Sequence, residues 1–166
     1  MSMTSVVPSQ TQEVRVTRDE EFSQFMEQAM AGLTRTAWHL TGDEHQAADL
    51  VRQTLVRTYT RWSRARHGPL PFARKVMVSH RMAKPRRQGA PDQAEGSPAL
   101  AERDRLVQAL GALEASQRRA VVLLYVEGLD EVEVALTLGQ PVAMVKVEGA
   151  RGLQRLREVL DGGARL

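Results

Sequence analysis

The sequence predicts an all-α protein, and three observations predict it. Apolar residues recur at three- and four-residue spacing from Phe22 to Leu160, the period of a helix that buries one face. Punctuating residues (Thr41-Gly42-Asp43, Gly68-Pro69, Gly128 and Gly139) cut that stretch into ordinary helix lengths. No run alternates apolar and polar residues at the period-two spacing of a strand.

Each element follows in order. Residues 1–17 lack the charged start and apolar block of a signal peptide and read as a disordered tail. Phe22, Phe25, Met26, Ala29, Met30, Leu33, Ala37 and Leu40 then form one helix face. The acidic turn Asp19-Glu20-Glu21 before it suits the positive end of a helix dipole. A second helix sets Ala47, Leu50, Val51, Leu55, Tyr59 and Trp62 on one side, with Arg52, Arg57, Arg61 and Arg64 elsewhere. A third begins near Phe72 and runs through Val76 and Met77. Pro85 ends or kinks it, because proline has no N–H to donate and clashes with the preceding turn.

The Gly-, Pro- and Ala-rich stretch at 89–99 reads as a short flexible linker. Ser97-Pro98 fits a cap followed by proline at the first helical position. Beyond it, Leu100, Leu106, Val107, Leu110 and Leu113 mark a helix. Ser116 is expected to cap the next, which carries Val121, Leu124 and Tyr125 and stops at Gly128. Asp130 with Glu133 three residues on makes a capping box for the helix LDEVEVALTL, whose buried stripe is expected to be Val132, Ala135, Leu136 and Leu138. Gly139 ends it, and Gln140-Pro141 leads into a last helix with Val142, Val145, Leu153, Leu156 and Leu160 in register. Residues 161–166 form a tail. The architecture expected is a three-helix unit at 18–88 and a four-helix unit at 100–160. In the latter, two helices joined by a glycine-containing turn form a helix-turn-helix, whose second helix can enter a major groove.

Composition narrows the function. The 166 residues include no cysteine, which removes disulfides, thiolate catalysis and cysteine-based zinc sites. His39, His45, His67 and His80 never fall four apart, and each reads as a surface histidine. With no phosphate-binding glycine loop either, neither an enzyme site nor a metal or cofactor is expected. No stretch approaches the roughly 20 apolar residues of a membrane helix, and a cytoplasmic protein is expected. Charge is the more telling quantity. Between Leu50 and Pro91 there are eleven Lys or Arg and no Asp or Glu, and a one-signed field of that kind captures polyanions.

Taken together, RTAWHLTGDEHQAADLVRQTLVRTYTRW, LGALEASQRRAVVLLYVEGLDEVEVALTLG and VKVEGARGLQRLRE, in that order around a polar tether, resemble the extracytoplasmic-function group of bacterial RNA polymerase sigma factors. The likeness spans about residues 20–160. It implies a sigma-2-like domain, a linker and a sigma-4-like domain, and an alternative sigma factor that binds core RNA polymerase and directs promoter-specific initiation. The implied partners are the clamp of the largest polymerase subunit, the flap of the second-largest, promoter DNA, and an anti-sigma factor as a further candidate. Asp49, Leu50, Arg52 and Gln53 match the polymerase-binding helix, although Arg52-Gln53 stands where Gln-Glu is usual. Lys75, Ser79, His80, Arg81, Lys84, Arg86 and Arg87 match the element that opens and reads the downstream (−10) hexamer. Lys84-Pro85 replaces an aromatic residue and an arginine there. Met144, Lys146, Val147, Glu148, Arg151 and Arg155 fall on the helix that reads the upstream (−35) element.

Met and Val cannot hydrogen-bond base edges, and a carboxylate is repelled by phosphates unless it accepts from a cytosine amino group. Met144 and Val147 therefore either pack inside the domain or form a surface patch for a protein partner. Gly149 and Gly152 each cost about 1 kcal/mol of helix stability relative to alanine. Two other functions compete with a working sigma factor: a repurposed sigma-like regulator that binds polymerase or another protein but reads promoters weakly, and a helix-turn-helix regulator that binds DNA alone.

Overall fold

In the computed structural model, which describes residues 16–80 and 98–162, helices follow wherever local chemistry opens and closes them. α1 (Arg18–Thr41) starts at Thr17, whose hydroxyl accepts from the Glu20 amide while the Glu20 carboxylate accepts from Thr17 N at 2.7 Å. Gly42 (φ 68°) ends α1 in the left-handed conformation, and Asp43 caps α2 (Glu44–Thr60) by accepting from Gln46 N at 2.8 Å. One turn, α3 (Trp62–Ala65), leads to α4 (Pro69–Ser79). α4 begins three residues before the expected Phe72, because Pro69 occupies the first turn, where a missing N–H is no loss. It ends at Ser79, with His80 extended; Pro85 lies outside the described residues.

α5 (Pro98–Gly111) opens at its proline as expected, and α6 (Ala115–Val121) continues into a π-helical turn at Val122–Val126. The expected cap Ser116 is not one. Glu114 precedes the helix without a side-chain cap bond, and the Ser116 hydroxyl donates to Glu148 at 3.0 Å instead. α7 (Glu131–Leu138) has the expected capping box of Asp130 and Glu133, and Gly139 (φ 66°) closes it. α8 (Val142–Gly162) runs two residues beyond the expected 160.

α1 and α2 are antiparallel: the Tyr59 hydroxyl at the end of α2 donates to Asp19 at the start of α1, 2.6 Å away. An aromatic cluster of Phe22, Phe25, Tyr59 and Trp62 fills the seam, with ring centroids 5.0–6.0 Å apart. In the second half α6 and α7 both lie on α8.

The two halves do not stand apart. One continuous core joins Leu33, Leu40 and Met77 to Leu110, Leu123, Val134 and Val145, each fully buried and worth about 1.5–3 kcal/mol. α5 and the π turn pack on α1, and α7 packs on α4.

Candidate nucleic-acid and partner interfaces

The helix-turn-helix is built as its residues demand, with one rotation. Val134 and Ala135 are the buried residues of α7, whereas Val132 (56% exposed) and Leu136 (71%) face solvent. The expected stripe is thus corrected: in an eight-residue helix with apolar residues on both sides, packing on α8 and α4 selects the face. After Gly139 the Gln140 amide returns to the Ala135 carbonyl (3.0 Å), and the Met144 amide bonds to the Pro141 carbonyl (3.0 Å).

α8 sits unusually close to α6, and two glycines permit it. A β-carbon at Gly152 would lie 2.6 Å from Val121 Cγ2 and 3.1 Å from the Gln117 carbonyl oxygen. One at Gly149 would lie 2.7 Å from Leu124 Cδ1. The propensity lost at these glycines is offset by close packing, which orients the reading helix.

That orientation settles the open question about the apolar turn. Val145 is buried, while Met144 (47% exposed) and Val147 (43%) look outward and do not pack inside the domain. Ala143 and Ala150 share the exposed side, as does Arg151. Lys146 is paired with Glu131 at 3.1 Å across the helix-turn-helix, and Glu148 is half-buried on Ser116. Arg155 is exposed and paired with Glu158 at 3.2 Å.

On α2, Asp49 and Arg52 are exposed and form an ion pair at 2.8 Å beside a shallow depression lined also by His45, Gln46 and Ala48. Gln53 is half-buried nearby. Leu50 belongs to the core and offers no surface to a partner, which corrects its place among the contact candidates; helical geometry turns it inward, away from Asp49 and Arg52. On α4, Lys75 is exposed and the exposed Ser79 donates to the Val76 carbonyl at 2.8 Å. His80 is half-buried, its carbonyl accepting from Arg119 at 3.4 Å. Arg81, Lys84, Arg86 and Arg87 lie outside the described residues.

The seam between the halves holds residues that sequence reasoning missed. Glu127, directly after the π turn and with a side chain only 6% exposed, accepts from the Thr36 hydroxyl of α1. It also receives a two-pronged contact from Arg74 of α4, at 3.1 Å from Nε and 3.0 Å from Nη2. Arg118 is buried and donates to Leu110 O, Gly111 O and Leu113 O of its own half, and to Leu40 O of α1, at 2.8–3.2 Å. Its guanidinium thus caps carbonyls at the C-terminal ends of both α1 and α5. The Arg103 guanidinium lies 4.5 Å over the Trp38 ring. His39, expected at the surface, is buried here. Its Nδ1 lies 2.7 Å from the Arg35 carbonyl, and burial holds its pKa below the ordinary value. The signal for Glu127 was a single charge closing the apolar run from Ala120 to Val126; Arg118, beside Arg119 in a polar stretch, carried none.

Residues 103–156 match the family model described as sigma-70, region 4. An RNA polymerase sigma-E factor of Streptomyces avermitilis is 31% identical over 153 residues, covering 85% of this chain and 86% of the relative. One from Streptomyces coelicolor is 32% identical over 152 residues, covering 84% and 86%. Among solved structures, the sigma factor RpoE of Bartonella quintana, crystallised with the anti-sigma factor NepR, superposes with a TM-score of 0.67. The identity is 22%, and the match covers 87% of this chain and 98% of that one. That last likeness is one of fold, and it extends through both halves.

Proposed function

The chain belongs to the sigma-E-like, extracytoplasmic-function RNA polymerase sigma factors, and on that premise we propose how its surfaces divide the work of an alternative sigma factor. Core polymerase engages the exposed face of α2 around Asp49 and Arg52, with Gln53 at its margin, while the helix-turn-helix half seats on the flap. Lys75, Ser79 and His80, with Arg81, Lys84, Arg86 and Arg87 beyond them, serve the downstream element. α8 serves the upstream one. The promoter lies in the cytoplasm, and so does this protein. An anti-sigma factor is a further partner on this reading. The observation that carries it is a relative matched across both halves, combined with a helix-turn-helix whose first helix is capped at both ends and whose turn is formed.

The closed arrangement is the resting one. α4 lies directly on α7, so in this arrangement the downstream reader is held against the helix-turn-helix, with Lys75 and Ser79 left exposed, and the two readers are kept close together. The seam combines the shared apolar core with buried polar contacts (Glu127 on Thr36 and Arg74, Arg118 on Leu40), which water can solvate once the halves part. A seam of that kind opens more readily than a wholly apolar one.

Reconstitution with core polymerase on a promoter library tests the assignment: discrete start sites are expected, and none would overturn it. One observation favours a repurposed regulator. The first turns of α8 present methyl groups rather than donors, and Lys146 is engaged by Glu131. Binding to core polymerase without open-complex formation would support that reading. Tight DNA binding by the free chain would support the stand-alone regulator.

A further inference from the structure

The outward surface of the first half of α8 combines the apolar Ala143, Met144, Val147 and Ala150 with the exposed Lys146 and Arg151. None of the four apolar residues carries a hydrogen-bonding side chain. Lys146 leans to Glu131 on α7 in a surface ion pair, and Glu148 to Ser116 on α6, so the two polar residues of this stretch each incline to one side. Exposed Arg151 and Arg155 follow one to two turns later.

We infer that α8 reads its upstream element through thymine methyl groups, with Met144 and Val147 as the specificity-determining residues and Arg151 and Arg155 as phosphate contacts. This rests on the sigma-factor reading above and deepens it. In the major groove each base pair shows a distinct edge, and the C5-methyl of thymine is the one feature an apolar side chain recognises. The N-terminal residues of a second helix in a helix-turn-helix are those that reach base edges, and Met144 and Val147 occupy its first two turns. Guanidinium groups farther along the helix supply the charge that a phosphate backbone requires and carry no sequence information. Two side chains and two alanines make too small an apolar patch for a stable protein interface, which needs roughly 1,000 Å². They match the size of one or two thymine methyls. The expected preference is therefore for upstream elements with thymine at one or two fixed positions, in contrast to guanine read by arginine.

Upstream hexamers are selected from a randomised library with the full chain assembled on core polymerase, and each invariant thymine in the winning sequence is replaced by deoxyuridine. About fourfold weaker binding per methyl removed is expected, the worth of one buried CH2 group. Val147→Ser, at an exposed position that leaves the core untouched, is expected to abolish the sensitivity to deoxyuridine at one of these positions. Selected elements without thymine, or unchanged binding with deoxyuridine, would overturn the inference while start-site mapping still upheld the sigma-factor assignment. Loss of core-polymerase binding in Met144→Thr, with DNA preference intact, would also overturn it and mark the patch as a protein contact. Failure to bind core polymerase at all counts instead against the assignment itself.

Discussion

Replacing Glu127 with glutamine keeps the shape of the side chain and removes its charge, which makes it the sharpest perturbation of the seam. The carboxylate is nearly inaccessible and bridges three elements: the π turn, Thr36 of α1 and Arg74 of α4. Removing one member of a buried pair costs about 3–5 kcal/mol, because the other charge is left without compensation. Arg74 retains 18% exposure of its side chain, so water recovers part of that cost. An amide can also still accept from Thr36. The net expectation is about 2–3 kcal/mol, from a partly relieved buried charge. Urea unfolding of the full chain measures it as a lower midpoint at unchanged slope. The double-mutant cycle with Arg74→Met isolates the pair, and a coupling of about 1–3 kcal/mol is expected for residues sharing one buried ion pair. A coupling below about 0.5 kcal/mol, or wild-type stability in Glu127→Gln, would refute the claim that this contact holds the halves together.

Three further outcomes follow from the same packing. Gly152→Ala is expected to lower stability by about 1–2 kcal/mol, since overpacking against Val121 and the fixed Gln117 carbonyl outweighs the helix propensity gained; Gly149→Ala, which meets only the mobile end of Leu124, should be close to neutral in thermal melts. Arg118→Lys is expected to destabilise by about 2–4 kcal/mol despite keeping the charge, because one ammonium with three protons cannot reach four separated carbonyls; a wild-type melting temperature would contradict this. His39 has its pKa lowered by burial and by the charges of Arg103 and Arg35, against the opposing pull of the Arg35 carbonyl and Glu127. Its contribution to stability is then complete above the unfolded-state value near 6.5 and is lost as pH falls from there through the lowered folded value. Stability measured against pH should decline over that window, and His39→Gln should flatten the decline.

Much of the fold was legible because helix boundaries are local chemistry. Gly42, Asp43, Asp130, Glu133 and Gly139 announce their caps and stops without reference to the rest of the chain. What failed to show was everything decided by a partner element. α7 carries apolar residues on both faces, so only its packing on α8 and α4 could say that Val134 goes in and Leu136 stays out. Gly149 and Gly152 read as weaknesses because their benefit, close approach to α6, lies more than twenty residues away in sequence. The linker suggested independent halves, and no periodicity could reveal that Glu127 and Arg118 bind groups 53 and 78 residues distant. At the candidate interface, Met144 and Val147 were recognised as out of place, whereas their outward orientation and the engagement of Lys146 by Glu131 emerged only from the packing.

The absence of native cysteine allows thiol labels to be placed at will, and Ser63 and Gln154 are exposed positions on opposite halves. The distance between spin labels at Ser63→Cys and Gln154→Cys, measured in the free chain and again on core polymerase with promoter DNA, tests the account most directly. A single short, narrow distribution in the free chain that gives way to a longer one on the polymerase is the predicted result. A free chain already broad and extended, or a distance unchanged on the polymerase, would contradict it.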